Sequence, residues 1–132
     1  MDFTFLSRWS PQLLSILRII TGLLFFAHGS AKYFGFPQVE MLANVSPMSP
    51  GGIAGILELV GGALLVIGLF SRLTAFILSG LMAVAYFMAH APQGFHPILN
   101  GGELAIMFCF VFLYIAAAGP GPWSIDATRG KA

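Results

Sequence analysis

The side chains of this chain that could bind or titrate sit inside long apolar stretches or at their ends: Arg18, His28, Lys32, Glu58, Tyr86, His90 and Glu103. A His beside a carboxylate can titrate near neutral pH and pass a proton. A Lys or Arg can donate to a carbonyl oxygen. A charge near the centre of a hydrocarbon layer costs about 2.5–3.5 kcal/mol even on a lenient scale, so such groups need partners. The set reads as a ligand-binding or proton-relay cluster with no assigned catalytic residue. No metal is assigned either. The di-iron bundle signature has His three residues after Glu, and neither Glu58 nor Glu103 does. Bis-His haem ligation needs two His at one depth, and His28 and His90 differ by about 8 Å at ~1.5 Å per residue. There is no HExxH, no P-loop and no Gly-rich dinucleotide turn. The one cysteine, Cys109, offers no intrachain partner.

What must position these residues is set by composition. Of 132 residues, 58% are hydrophobic and 8% charged, against about 25% charged in soluble domains. Mean hydropathy is +0.89. This is an integral membrane protein, and a net charge of +1 argues against nucleic acid as a partner. A signal peptide is a poor fit, because Arg18 interrupts the first apolar run. The expectation is all-α: an integral membrane four-helix antiparallel bundle, one transmembrane domain over residues 1–132, with spans at about 12–34, 52–70, 73–91 and 101–118. Arg8 and Trp9 precede the first span as interfacial anchors. Pro37 could open a short surface helix over Gln38 to Asn44, and Ser71 with Arg72 forms the tight turn between spans two and three.

Turning about 100° per residue from Arg18 puts Thr21, Gly22, Phe25, His28, Gly29 and Lys32 on one side of the first helix. Ile16, Ile19, Ile20, Leu23 and Ala27 face lipid. From Glu58, the small residues Gly51, Ala54, Gly55, Gly61 and Gly62 share a face suited to close helix approach. Ser79, Ala83, Tyr86 and His90 share a face of span three; Asn100, Met107, Phe110 and Tyr114 lie on the Glu103 side of span four. Depth counting puts His28 level with Glu58, and Lys32 level with His90 and Glu103 nearer the surface. Arg18 has no charged group at its own depth; it reaches towards Glu58 or snorkels to the cytoplasmic face. Arg8, Arg72, Arg129 and Lys131 all lie at the end that carries both termini, which makes both termini cytoplasmic. The two hairpins, each a helix ending in His and a helix opening towards Glu, suggest a weak internal repeat.

The segments RIITGLLFFAHGSAKYFGFP, ELVGGALLVIGLFSRLTA and NGGELAIMFCFVFLYIAAAGPGPWSIDA resemble the DoxX family of small bacterial membrane proteins, over about Leu14 to Ala127. The specific pieces are Arg18 with His28-Gly29 and Lys32, Glu58 with Gly61-Gly62 and Gly68, and Gly119-Pro120-Gly121 with Ser124 and Asp126. The resemblance implies a four-helix protein of the bacterial inner membrane. Relatives include a subunit of a thiosulfate:quinone oxidoreductase and members linked to membrane redox or oxidative-stress systems.

Two functions fit. In one, the chain is a subunit or accessory of a quinone-linked oxidoreductase system, working with a membrane or peripheral redox partner. A quinone head group is held in the periplasmic half: Lys32 or Arg18 donates to a carbonyl, His28 with Glu58 exchanges the proton, and Phe25, Tyr86 and Phe110 form walls. In the other, the chain is a non-enzymatic scaffold, assembly factor or small-solute conduction protein whose charges lock the helices together. Whether the chain itself catalyses a reaction stays open at this level.

Overall fold

The structure, a computed structural model, describes residues 2–42 and 45–131. Among these residues the only regular structure is helical, with four long helices: α1 (Ser10–Phe34), α2 (Pro50–Ile67), α3 (Ser71–Ala85) and α4 (Glu103–Ala118). A 3₁₀ segment, Thr4–Trp9, leads into α1, and the Arg8 guanidinium lies over the Trp9 ring. The first three helical stretches are long and apolar enough to cross a membrane. Helix α4 is equally apolar, but its 16 residues rise only about 24 Å.

Local chemistry sets the helix ends. Ser49 caps α2, its Oγ accepting from Gly52 N at 3.1 Å, with Pro50 at the first position, where no N–H is needed. Gly35 and Gly68 end α1 and α2 in the left-handed region. The tight turn lies at Gly68–Phe70, one turn earlier than expected, and Ser71 and Arg72 already belong to α3. The reason is that Gly68 tolerates positive φ, whereas Ser71 begins an amphipathic run burying Ser71, Thr74, Ala75, Leu78 and Met82. Helix α3 gives way at Tyr86–His90 to one π turn and then a 3₁₀ turn, Ala91–Gln93. The surface helix expected from Gln38 reduces to a 3₁₀ turn at Glu40–Leu42; Asn44, its expected end, lies outside the described residues.

The helices pack as two antiparallel hairpins, α1 with α2 and α3 with α4, joined along α2–α3 and α1–α4. The α1–α2 seam is backbone against backbone. A Cβ on Gly22 would lie 2.9 Å from Gly62 O, and one on Gly29 2.7 Å from Gly55 O. In lipid, where apolar side chains gain nothing by leaving the solvent, such close approach is a main source of helix affinity. Between α1 and α4 the contact is aromatic: Phe25 meets Phe108 and Phe112 edge-on, at centroid distances of 5.4 and 4.9 Å. The outward surface is apolar, with Ile16, Leu23, Ile56, Leu73 and Phe76 exposed, as a lipid-facing surface requires.

The burial of α1 and α2 follows the faces read from Arg18 and Glu58. The burial of α4 does not follow Glu103. Ala105, Phe108, Phe112 and Ile115 are buried, whereas Glu103, Met107, Phe110 and Tyr114 are exposed. Glu103 stands in the first turn, where the helix N-terminus favours a carboxylate. It therefore needs no interior partner, and the helix is free to bury its phenylalanines instead.

Candidate functional site

Two polar assemblies occupy opposite ends of the bundle, and they do different things.

The first lies at the end carrying the α1–α2 loop. Lys32 Nζ is 2.9 Å from Glu58 Oε1, both side chains being under 10% exposed. The ammonium also donates to Gly51 O at 3.0 Å, and Tyr33 OH donates to Gly52 O at 2.6 Å. The expected His28–Glu58 pair is thus replaced by Lys32–Glu58. Helical side chains lean towards the helix N-terminus. The four-carbon stem of Lys32 follows that lean, so its charge reaches the carboxylate ahead of the imidazole. The contact is a close ion pair made through Oε1.

Beside this pair is a cavity of about 350 Å³ between α1, α2, α3 and α4, within the range that holds small ligands. Glu58, His28 and His90 supply its polar lining; Phe25, Met82 and Phe108 are prominent in its apolar walls. Each histidine has Nδ1 on a backbone carbonyl: His28 on Leu24 O at 3.0 Å, His90 on Asn100 O at 3.1 Å. A carbonyl only accepts, so Nδ1 carries the proton and Nε2 of the neutral ring is left as a base. The π turn carries His90, and such turns often mark functional positions.

Tyr86 stands behind this site, its OH accepting from Asn100 Nδ2 at 3.1 Å. Asn100 is buried, donates also to Gly94 O, and accepts from Gly102 N. It thereby fixes the loop before α4. The shallow layer of Lys32, His90 and Glu103 does not form: Lys32 pairs with Glu58, His90 with Asn100 O, and Glu103 is exposed. Phe110 is also exposed and forms no wall. Phe108 and Met82 take that role. The sequence signal for the α4 face is the helical spacing of Ala105, Phe108, Phe112 and Ile115, not the position of Glu103.

The second assembly is at the other end, around Arg18, which is fully buried. Its Nε donates to Leu65 O at 2.7 Å, its two terminal nitrogens to Pro120 O and, at 2.7 Å, to Trp123 O. Arg18 therefore neither pairs with Glu58 nor reaches the cavity. A guanidinium presents planar forked donors, and here these hold the C-terminal segment beneath the bundle. Trp123 N donates to Ser15 Oγ at 3.0 Å. Asp126, which acts electrostatically on Arg18, accepts from Phe70 N and Ser71 N at 2.9 and 2.8 Å, capping α3 from a distant part of the chain. Burial works to raise the Asp126 pKa, but the Ser71 and Phe70 donors, with Arg129 nearby, outweigh it and hold the carboxyl below its ordinary value. Gly68 and Gly121 are needed here: added Cβ atoms would run into Ser124 and Ser15. The capping role of Asp126 has no local sequence signal, because the N–H groups it accepts from belong to Phe70 and Ser71, far earlier in the chain.

The DoxX family model matches residues 13–91. An uncharacterized protein of Haemophilus influenzae is 43% identical over 125 residues, covering 92% of this chain and 93% of the relative. The Escherichia coli inner membrane protein YqjF is 27% identical, covering 88% and 91%. A Bacillus subtilis protein named "Putative oxidoreductase CatD" is 26% identical, covering 79% and 77%. No solved structure matches. On the family match and the Haemophilus relative, this all-helical membrane protein belongs to the DoxX family.

Proposed function

We propose that the protein is a membrane subunit or accessory of a quinone-linked redox system. It would sit in the bacterial inner membrane with α4 as its fourth span and both termini cytoplasmic. The observation that carries this reading is the cavity: apolar walls, one buried carboxylate paired with Lys32, and two imidazoles whose Nδ1 atoms are held by backbone carbonyls, leaving each Nε2 as a base. Such a site suits a small aromatic ring bearing phenolic O–H groups, the reduced head group of a quinone. The Nε2 atoms of His28 and His90 accept hydrogen bonds from those two O–H groups and take up the two protons released on oxidation, with the Glu58 carboxylate beside them. Phe25 and Phe108 hold the ring and exclude water. Lys32 holds the Glu58 carboxylate in place beside the cavity. The ligand supplies the electrons, which pass to a redox protein partner. The name of the Bacillus relative agrees with redox work.

The test is equilibrium binding of short-tailed ubiquinol and menaquinol analogues to purified protein in nanodiscs. Wild type should bind saturably. Glu58→Gln with His28→Ala should weaken binding at least tenfold. Met82→Trp, which fills the cavity but leaves the ion pair intact, should abolish it. No binding by wild type, or equal binding by all three, overturns the proposal. The scaffold reading has one observation of its own: Arg18 is used wholly for holding backbone. It predicts a co-purifying protein and no bound small molecule.

A further inference from the structure

The outer surface between α1 and α4, at the end where Arg18 holds the C-terminal segment, contains two adjoining hollows that no part of the proposed redox site uses. One, of about 380 Å³, lies between Leu13, Leu14 and Leu17 of α1 and Tyr114 of α4. The other, of about 520 Å³, lies between Leu14, Tyr114, Arg72 and the Pro120–Pro122 stretch. They share Ser10, Leu14 and Tyr114, so they form one groove, apolar along its length and cationic at its end. From Ser10 to Leu17 the groove runs about 10 Å along the helix.

Arg72 is fixed at the polar end. One terminal nitrogen donates to Ala116 O and Ala117 O at 3.1 and 2.6 Å, the last carbonyls of α4. That leaves Nε and the second terminal nitrogen without an acceptor among the described residues. The guanidinium is therefore immobilised before any ligand arrives and keeps three N–H groups in a planar fork. Gly119 makes room for it: a Cβ there would lie 2.9 Å from Arg72 Nη2. Asp126, the acidic group near this end of α3, has its carboxylate engaged by Phe70 N and Ser71 N. The level is that of a lipid head group, since Trp9 and Trp123, half-exposed at the same end, are the aromatic residues that favour the membrane–water boundary.

We propose that this groove is a binding site for one anionic phospholipid, its phosphate on Arg72 and an acyl chain between Leu13, Leu17 and Tyr114. The charge of Arg72 selects the anionic head group. The apolar length of the groove distinguishes a lipid from a free anion. Native mass spectrometry of the protein in mild detergent, titrated with phosphatidylglycerol or phosphatidylcholine of identical chains, tests it. Wild type should prefer phosphatidylglycerol by about fivefold, the increment expected of one basic group near a membrane surface. Arg72→Gln should bring the two lipids level. Leu17→Trp, at an outward position that disturbs no polar contact, should reduce retention of both. Lys131→Gln, which removes a cation at the same end outside the groove, should leave the preference intact. Equal binding of both lipids by wild type overturns the proposal. So does full retention by Leu17→Trp, or a Lys131→Gln effect as large as that of Arg72→Gln.

Discussion

Replacing Arg18 by Met keeps most of the side-chain volume and removes donors to three carbonyls, those of Leu65, Pro120 and Trp123. Hydrogen bonds from a charged donor are worth about 1.5–3 kcal/mol each, and a buried acceptor left unpaired costs about 1–3 kcal/mol. These terms overlap, because some carbonyls regain water once the segment loosens. A net loss of about 3–5 kcal/mol follows, the size seen when one side of a buried ionic arrangement is removed. Arg18→Lys should lose about half as much: one ammonium cannot span three carbonyls contributed by α2 and by two points of the C-terminal segment. Equilibrium unfolding in mixed micelles gives the magnitude, and amide hydrogen exchange over 119–127 gives the location. Wild type should protect those amides, and Arg18→Met should expose them while α1–α2 protection survives. Exchanging the charges, Arg18→Glu with Glu58→Arg, should rescue nothing, since the two groups are not partners. A loss under about 1 kcal/mol, or a C-terminal segment equally unprotected in wild type, would refute the reasoning.

Two further outcomes follow from the other polar contacts. Lys32→Met strands Glu58 in the interior and should cost about 3–5 kcal/mol, measured by the same unfolding titration; adding Glu58→Leu should recover most of it, because an apolar pair at that site needs no compensation. The Asp126 carboxyl is held below its ordinary 3.8 by the Ser71 and Phe70 donors against the opposing effect of burial. The folded state thus binds the proton less readily than the unfolded one. This contribution is fully present above the ordinary value and is lost as pH falls through the lowered one. Limited proteolysis of the C-terminal segment should accelerate in that acid window for wild type, and be faster and insensitive to pH there in Asp126→Asn.

Much of this architecture was legible in the chain itself. A composition of 58% hydrophobic and 8% charged residues cannot be wetted, so a membrane-embedded helical protein was determined before any contact was known. The glycines around Glu58 marked the buried face of α2 because only small residues permit the observed backbone approach to α1. The lipid-facing side of α1 followed from helical periodicity alone.

Which charged groups meet was decided only by the tertiary structure. Counting along helices gives depth to within a turn, but side chains as long as Lys and Arg reach further than a turn. Lys32 therefore displaced His28 as the partner of Glu58. Arg18 had no charged group at its own level because its partners are carbonyls of residues about a hundred positions later, folded back beneath the helices. Every residue carries a carbonyl, so no residue type announces this. The face of α4 was misread for a related reason: Glu103 could stay outside at the helix N-terminus, and burying Phe108 and Phe112 against Phe25 set the rotation instead. The sequence determined that these polar groups must be answered within the protein; folding determined which atoms answer them.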